Sequence, residues 1–171
     1  MVARVISSER VQRIAAGIAA ALAVWHWCIV PFQFEVALRD FENSTRAAMA
    51  ASSPESQVIA RQTLGRAAEF RERFPGDVRL AMIEAANERL IGRPEDAATA
   101  YRRALQYDRR PEIYFNLAIA ESNAHDPTSA AEHLAQALRF SPALARDISD
   151  ETLKRRAIAI IRSGHTSPPV C

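Results

Sequence analysis

A chain of 171 residues has room for one domain of ordinary size and one further segment. Hydrophobic residues make up 49% and aromatics only 7%, so alanine carries much of the apolar count, and alanine builds helices better than it fills cores. The formal net charge is +2, with Arg71, Arg73, Arg102 and Arg103 mixed among Glu69, Glu72, Glu95 and Asp96, which excludes the basic stripe of a nucleic-acid binder.

Residues 1–13 form a short basic lead carrying Arg4, Arg10 and Arg13. Residues 14–34, IAAGIAAALAVWHWCIVPFQF, contain no Asp, Glu, Lys or Arg. A helix of about 21 residues spans about 30 Å, the thickness of a bilayer core, so this segment predicts a single transmembrane anchor in contact with lipid. Trp25, Trp27, Phe32 and Phe34 gather at its far end, where aromatic rings favour the membrane interface.

A cleaved signal peptide needs small residues at the end of its apolar run, whereas Ala19, Ala20 and Ala21 come early and Trp25 to Val30 are bulky. Trp27 also stands where a lipoprotein box needs a small residue before Cys28. An uncleaved anchor is the expectation, with a signal peptide and a buried core helix as the alternatives. Counting basic residues near the span, three precede it and two (Arg39, Arg46) follow. That places the N-terminus in the cytoplasm and the remainder in the periplasm of a bacterium, held at the inner membrane.

His26 is the one titratable nitrogen within the span, flanked by Trp25 and Trp27. An intramembrane histidine is a functional candidate by default, and a ring nitrogen can ligate a tetrapyrrole metal. The plainer reading is a hydrated interfacial histidine between two tryptophans, with no cofactor. Cys28 lies in the apolar segment and Cys171 is the last residue of the sequence, so no intrachain bridge or metal spacing is expected.

Residues 35–76 predict a helical linker that continues the anchor, followed by a half-repeat. Ser53-Pro54-Glu55 reads as a helix start with Ser53 as cap, and Pro75-Gly76 as a stop. Further helices follow over Asp77–Ile91, Pro94–Tyr107, Pro111–Ala124, Pro127–Phe140 and Asp150–Arg162. Residues 143–164 would hold the capping helix and 165–171 a flexible tail.

Within 77–142 the helices come in pairs. Residues 111–142, PEIYFNLAIAESNAHDPTSAAEHLAQALRFSP, closely resemble the tetratricopeptide repeat at Tyr114, Leu117, Ala118, Ala130, Leu134, Ala137 and Pro142. A second copy at 78–110 matches through Ala85, Gly92, Ala97, Tyr101 and Ala104, departing at Glu84, where a large apolar residue is expected, and at Arg109. The small residues let paired helices approach while larger ones fill the gaps around them. With the anchor, the resemblance implies an all-α fold in which the single transmembrane helix is followed by a short α-solenoid of helix–turn–helix pairs.

It also implies a concave groove that docks protein partners, lined by Arg79, Met82, Ala86 and Arg89 in the first copy and Glu112, Phe115, Ile119 and Ser122 in the second. Phe115 and Met82 would take an apolar side chain and the arginines carboxylates. Alternatively, Phe115 and Met82 pack on neighbouring helices of their own chain. The segment around His26 bears a faint resemblance to pigment-binding helices of light-harvesting proteins, without their fixed histidine context.

No H-E-x-x-H, G-x-S-x-G or phosphate-binding glycine loop occurs, so no enzyme, catalytic residue or metal site is expected. His125-Asp126-Pro127 reads as turn chemistry and His133 as solvent-facing. Two functions remain: a membrane-tethered scaffold, or an accessory subunit of a larger energy-transducing or pigment-binding membrane complex.

Overall fold

The computed structural model describes residues 2–164, with side-chain surroundings from Arg10 onward. The expected tail at 165–171, Cys171 and the side chain of Arg4 lie outside the described residues. Within them the chain is all-helical and contains no strand. It divides after Asp40 into two units.

In the first unit, α1 (Val2–Val24) leads through a π-helical turn (Trp25–Ile29) into α2 (Val30–Ala50). The wider turn is closed by the Val30 N–H donating to the Trp25 carbonyl, five residues back. Pro31 follows at once. A proline inside a helix has no N–H to donate and its ring crowds the carbonyl four residues earlier, here that of Trp27. Widening the helix ahead of Pro31 gives that carbonyl room, and a π-turn is one of the few ways a long helix absorbs such a defect.

Residues 10–28 are all exposed. The helix containing them, Arg10–Ala50, is the one described helix long and apolar enough to cross a membrane, with a mean hydropathy of 1.8 and none of its apolar window buried. That exposure removes the buried core helix as a reading of this segment.

In the second unit the last turns of α2 bury Phe41, Thr45 and Ala48, spaced as one helical stripe. Helix α3 (Ser53–Arg73) buries an equally small stripe, Ser56, Ala60, Thr63 and Ala67. The Phe41 and Phe70 rings meet edge to face with centroids 5.6 Å apart, and the Arg66 guanidinium lies 5.2 Å from the Phe41 centroid. Buried threonines cost little here. Thr45 and Thr63 donate to the carbonyls of Phe41 (2.8 Å) and Ile59 (2.9 Å), one turn back on their own helices.

Four helices follow: α4 (Val78–Leu90), α5 (Pro94–Leu105), α6 (Pro111–Asn123) and α7 (Pro127–Phe140). A 3-10 turn (Pro142–Arg146) leads to α8 (Glu151–Ser163). Their ends are chemically marked. Asp77, Asp126 and Asp150 each accept a backbone N–H in the first turn they precede, and Pro94, Pro111 and Pro127 stand where a missing N–H costs nothing.

Each helix from α3 to α8 packs on the next. One apolar cluster joins α4, α5 and α6 through Ala81, Ala85, Ala97, Tyr101, Ile113 and Leu117. A second joins α6, α7 and α8 through Ala118, Ala130, Leu134, Leu138, Leu153 and Ala157. Helix α6 therefore serves both, with adjacent Leu117 and Ala118 turned to different neighbours.

The order repeats. Helices α4 and α6 are each 13 residues long and begin at Val78 and Pro111, 33 residues apart. Helices α5 and α7 begin at Pro94 and Pro127, the same interval. The left-handed turn residues Gly92 (φ 77°) and His125 (φ 61°) share it, as do the fully buried pairs Ala85/Ala118, Ala97/Ala130 and Ala104/Ala137.

Some boundaries differ from expectation. Ser53 is the first helical residue rather than the cap; Ser52 precedes it and makes no side-chain capping bond. Helix α5 stops at Leu105, and the Tyr107 ring beyond it lies against Gly76, where an added methyl would be 3.1 Å away. The π-turn and the 3-10 turn carry no periodicity that a sequence pattern would reveal.

Candidate functional site

The eight expected groove positions lie on α4 and α6, and none is fully buried. Arg79, Arg89 and Glu112 are exposed, whereas Met82, Ala86, Phe115, Ile119 and Ser122 are half-buried. The two apolar anchors also pack on their own chain. Met82 rests on the first apolar cluster and Phe115 on the second.

The polar positions have neighbours too. Arg79 lies 3.8 Å from the Asp77 carboxylate. Arg89 lies near the hydroxyl of buried Tyr101, whose pKa is raised by burial, with the guanidinium opposing the rise. Arg110 reaches the sulfur of Met82 at 3.9 Å and pairs with Asp108 at 2.6 Å. The eight positions thus comprise three exposed charged side chains and five half-buried ones.

Two carboxylates on these helices are buried: Glu84, which stands where the repeat pattern expects a large apolar residue, and Glu121. Glu84 on α4 is 3% exposed and pairs with Arg71 of α3 (3.5 Å) and with Arg103 of α5. Glu121 on α6 is 1% exposed and pairs with Arg102 of α5 (2.7 Å) and with His133 Nδ1 of α7 (2.7 Å). Each glutamate therefore ties its helix to the helix before and the helix after. The expectation that His133 faces solvent is corrected: it is half-buried against Glu121, with its ring stacked on Tyr114 at 6.2 Å. The signals were present in the sequence, as an acid at an apolar position and paired arginines on the neighbouring helix, but helical spacing within one element cannot reveal a bond between two.

Burial raises the Glu84 pKa above the ordinary carboxylate value, although Arg103 and Arg71 both oppose the rise. Desolvation prevails because those guanidinium groups are 27% and 49% exposed and water screens them. Glu88, one turn on, is raised by burial and by the neighbouring Asp96 carboxylate. Asn87 is fully buried and donates from Nδ2 to Thr45 Oγ1 (2.7 Å) and the Ile83 carbonyl (2.8 Å). Its Oδ1 has no hydrogen-bond partner among the described residues. These groups lock helices together, and no metal-holding cluster of His, Cys, Asp and Glu is found among the described residues.

In the apolar helix, Trp25 is 53% and Trp27 76% exposed. His26, also exposed, meets Trp27 edge to face at 5.8 Å. All three stand in the π-turn. His125 adopts the left-handed turn conformation and Asp126 caps α7 by accepting from the Ser129 N–H (3.1 Å), as turn chemistry predicts. Compared with known proteins, the chain matches no family model and no curated protein.

Proposed function

We propose that this chain is a membrane-tethered scaffold. On this reading residues 14–34 anchor it in the inner membrane of a bacterium, and two tetratricopeptide-like helix pairs in the periplasm dock a protein partner. The observation that carries the proposal is the 33-residue recurrence of helix starts, left-handed turns and buried alanines across α4–α5 and α6–α7. Stacked units of that kind present a continuous face to an extended peptide. Arg79, Arg89 and Glu112 supply charges on that face, and the exposed edges of Met82 and Phe115 its apolar contact. Tethering raises the effective concentration of a weak contact, so two repeats suffice. No step in this role requires catalysis or a cofactor.

A specific observation also favours an intramembrane contact. The π-turn places Trp25, His26 and Trp27 at a local widening of an otherwise apolar helix, and such widenings recur at functional positions. That suits a subunit packed against other helices of a membrane complex, or a pigment ligated by His26. The two readings separate under one experiment. The tagged full chain is extracted in mild detergent beside two variants: one with residues 14–34 replaced by an unrelated apolar helix, one with Phe115→Ala and Arg89→Ala. The scaffold reading expects the partner to survive the helix exchange and to be lost from the double variant. The opposite pattern rejects it in favour of the complex subunit.

A further inference from the structure

Helix α8 has two faces. Leu153 and Ala157 are buried, with Ile160 and Ile161 packed against the same apolar cluster. On the outward side Arg155, Ile158, Ala159, Arg162 and Ser163 line one shallow depression, spaced as a single helical stripe. A helix that closes a stack of repeats needs a polar outer face, but that requirement is met equally well by acids and bases. The charged residues lining this depression, Arg155 and Arg162, are both bases, and Arg156 is exposed beside them.

Two of the three nearby acids are engaged, and the third, Asp147, is exposed before the helix. Asp150 accepts the N–H groups of Thr152 (2.9 Å) and Leu153 (3.0 Å), and Glu151 pairs with Lys154 at 3.2 Å. No carboxylate partner is found for Arg155, Arg156 or Arg162 among the described residues. The imbalance extends beyond the helix. Residues 35–138 hold thirteen bases and sixteen acids, whereas residues 139–163 hold six bases and three acids. The charge is sorted along the chain.

We infer that the outward face of α8 rests on an anionic lipid surface, with Arg155, Arg156 and Arg162 meeting headgroup phosphates and Ile158 and Ala159 facing the boundary between them. A lone convex helix offers no second wall to grip an acidic peptide, whereas a broad charged surface needs none. Long arginine stems reach phosphates while their methylenes cover apolar ground. Proximity to the bilayer comes from the proposed anchor, on which this contact depends. Each base near an anionic surface is worth roughly a fivefold gain in binding, so three give about a hundredfold, falling with salt.

The test uses the full chain with Cys28→Ser, Cys171→Ser and Ala159→Cys, a fluorophore on the new thiol and quencher-labelled lipid headgroups. Flotation with pure phosphatidylcholine vesicles reports the anchor by itself. Quenching should appear when phosphatidylglycerol is added and vanish at about 1 M salt, where the screening length is about 3 Å. Replacing the three arginines with glutamine should abolish it, and replacing them with lysine should preserve it. Flotation without phosphatidylglycerol-dependent quenching overturns the lipid contact and leaves the anchor standing. Quenching unchanged in the glutamine variant overturns it too, as does binding of a soluble polyglutamate peptide in place of the anionic vesicles. Failure to float with neutral vesicles counts against the anchor instead.

Discussion

His125 shows what a single residue costs when a repeat is copied imperfectly. Its counterpart 33 positions earlier is Gly92, and both turns need a positive φ. An L side chain in that region costs about 1–2 kcal/mol, whereas glycine enters it freely. His125→Gly should therefore stabilise the domain by about 1 kcal/mol, read as a rise of several degrees in thermal melting followed by circular dichroism. Gly92→Ala should lower it comparably, for backbone reasons alone, since an added methyl there meets nothing within 4 Å. A neutral His125→Gly would mean that the histidine side chain makes a compensating contact. Glu84 makes a second test. Its folded pKa is raised by burial, so its favourable contribution is complete below the ordinary glutamate value and is lost as pH rises through the raised one. Asp126 acts in the opposite sense. Its pKa is lowered by hydrogen bonds from Ser129, so its contribution is present above the ordinary aspartate value and lost as pH falls through the lowered one. In Glu84→Gln, melting temperature should lose its decline with rising pH above the ordinary glutamate range. A profile parallel to the parent would assign that slope to another group, Glu88 being the nearest.

Between elements, small residues decide the geometry. Ala85 is fully buried where α4 meets its neighbours, while adjacent Ala86 is half-exposed on the outer face. Ala85→Leu should destabilise by about 1–3 kcal/mol through overpacking, and Ala86→Leu should be nearly neutral, as judged by paired denaturation midpoints. Equal costs for the two would contradict the packing described here. The glutamate ties are the other element-scale feature. Glu121→Ala leaves Arg102 and His133 without their shared carboxylate, a loss of about 2–3 kcal/mol once their partial exposure is allowed for. Much of this scale was legible in the sequence. Proline, glycine and aspartate marked the helix ends, and alanines at a fixed interval marked the buried contacts. Bonds between helices were not legible, because Glu84–Arg103 and Glu121–His133 depend on how two elements are rotated against each other. The π-turn was hidden for a different reason: Pro31 lies inside the apolar run, and a helix can answer a proline by kinking, breaking or widening. Of the eight groove positions on α4 and α6, three are exposed and five half-buried, and their share of contact with their own chain needed the structure.

At the scale of the whole molecule, the proposed function divides the labour: the exposed apolar helix would hold position and the helices that follow would hold a partner. The composition follows from it. Alanine suits both close helix packing and a span in lipid, and the charges of both signs are mixed along the rest of the chain. The most direct test is to capture what the full chain carries. Photocrosslinking amino acids are placed at Phe115 and, separately, at Trp27, in cells making the tagged full-length protein. The account predicts a discrete protein adduct from position 115, lost when Arg89→Ala is added, with lipid adducts dominating at position 27. A discrete protein or pigment adduct at position 27, with none at 115, would contradict the scaffold and identify the apolar helix as the working surface.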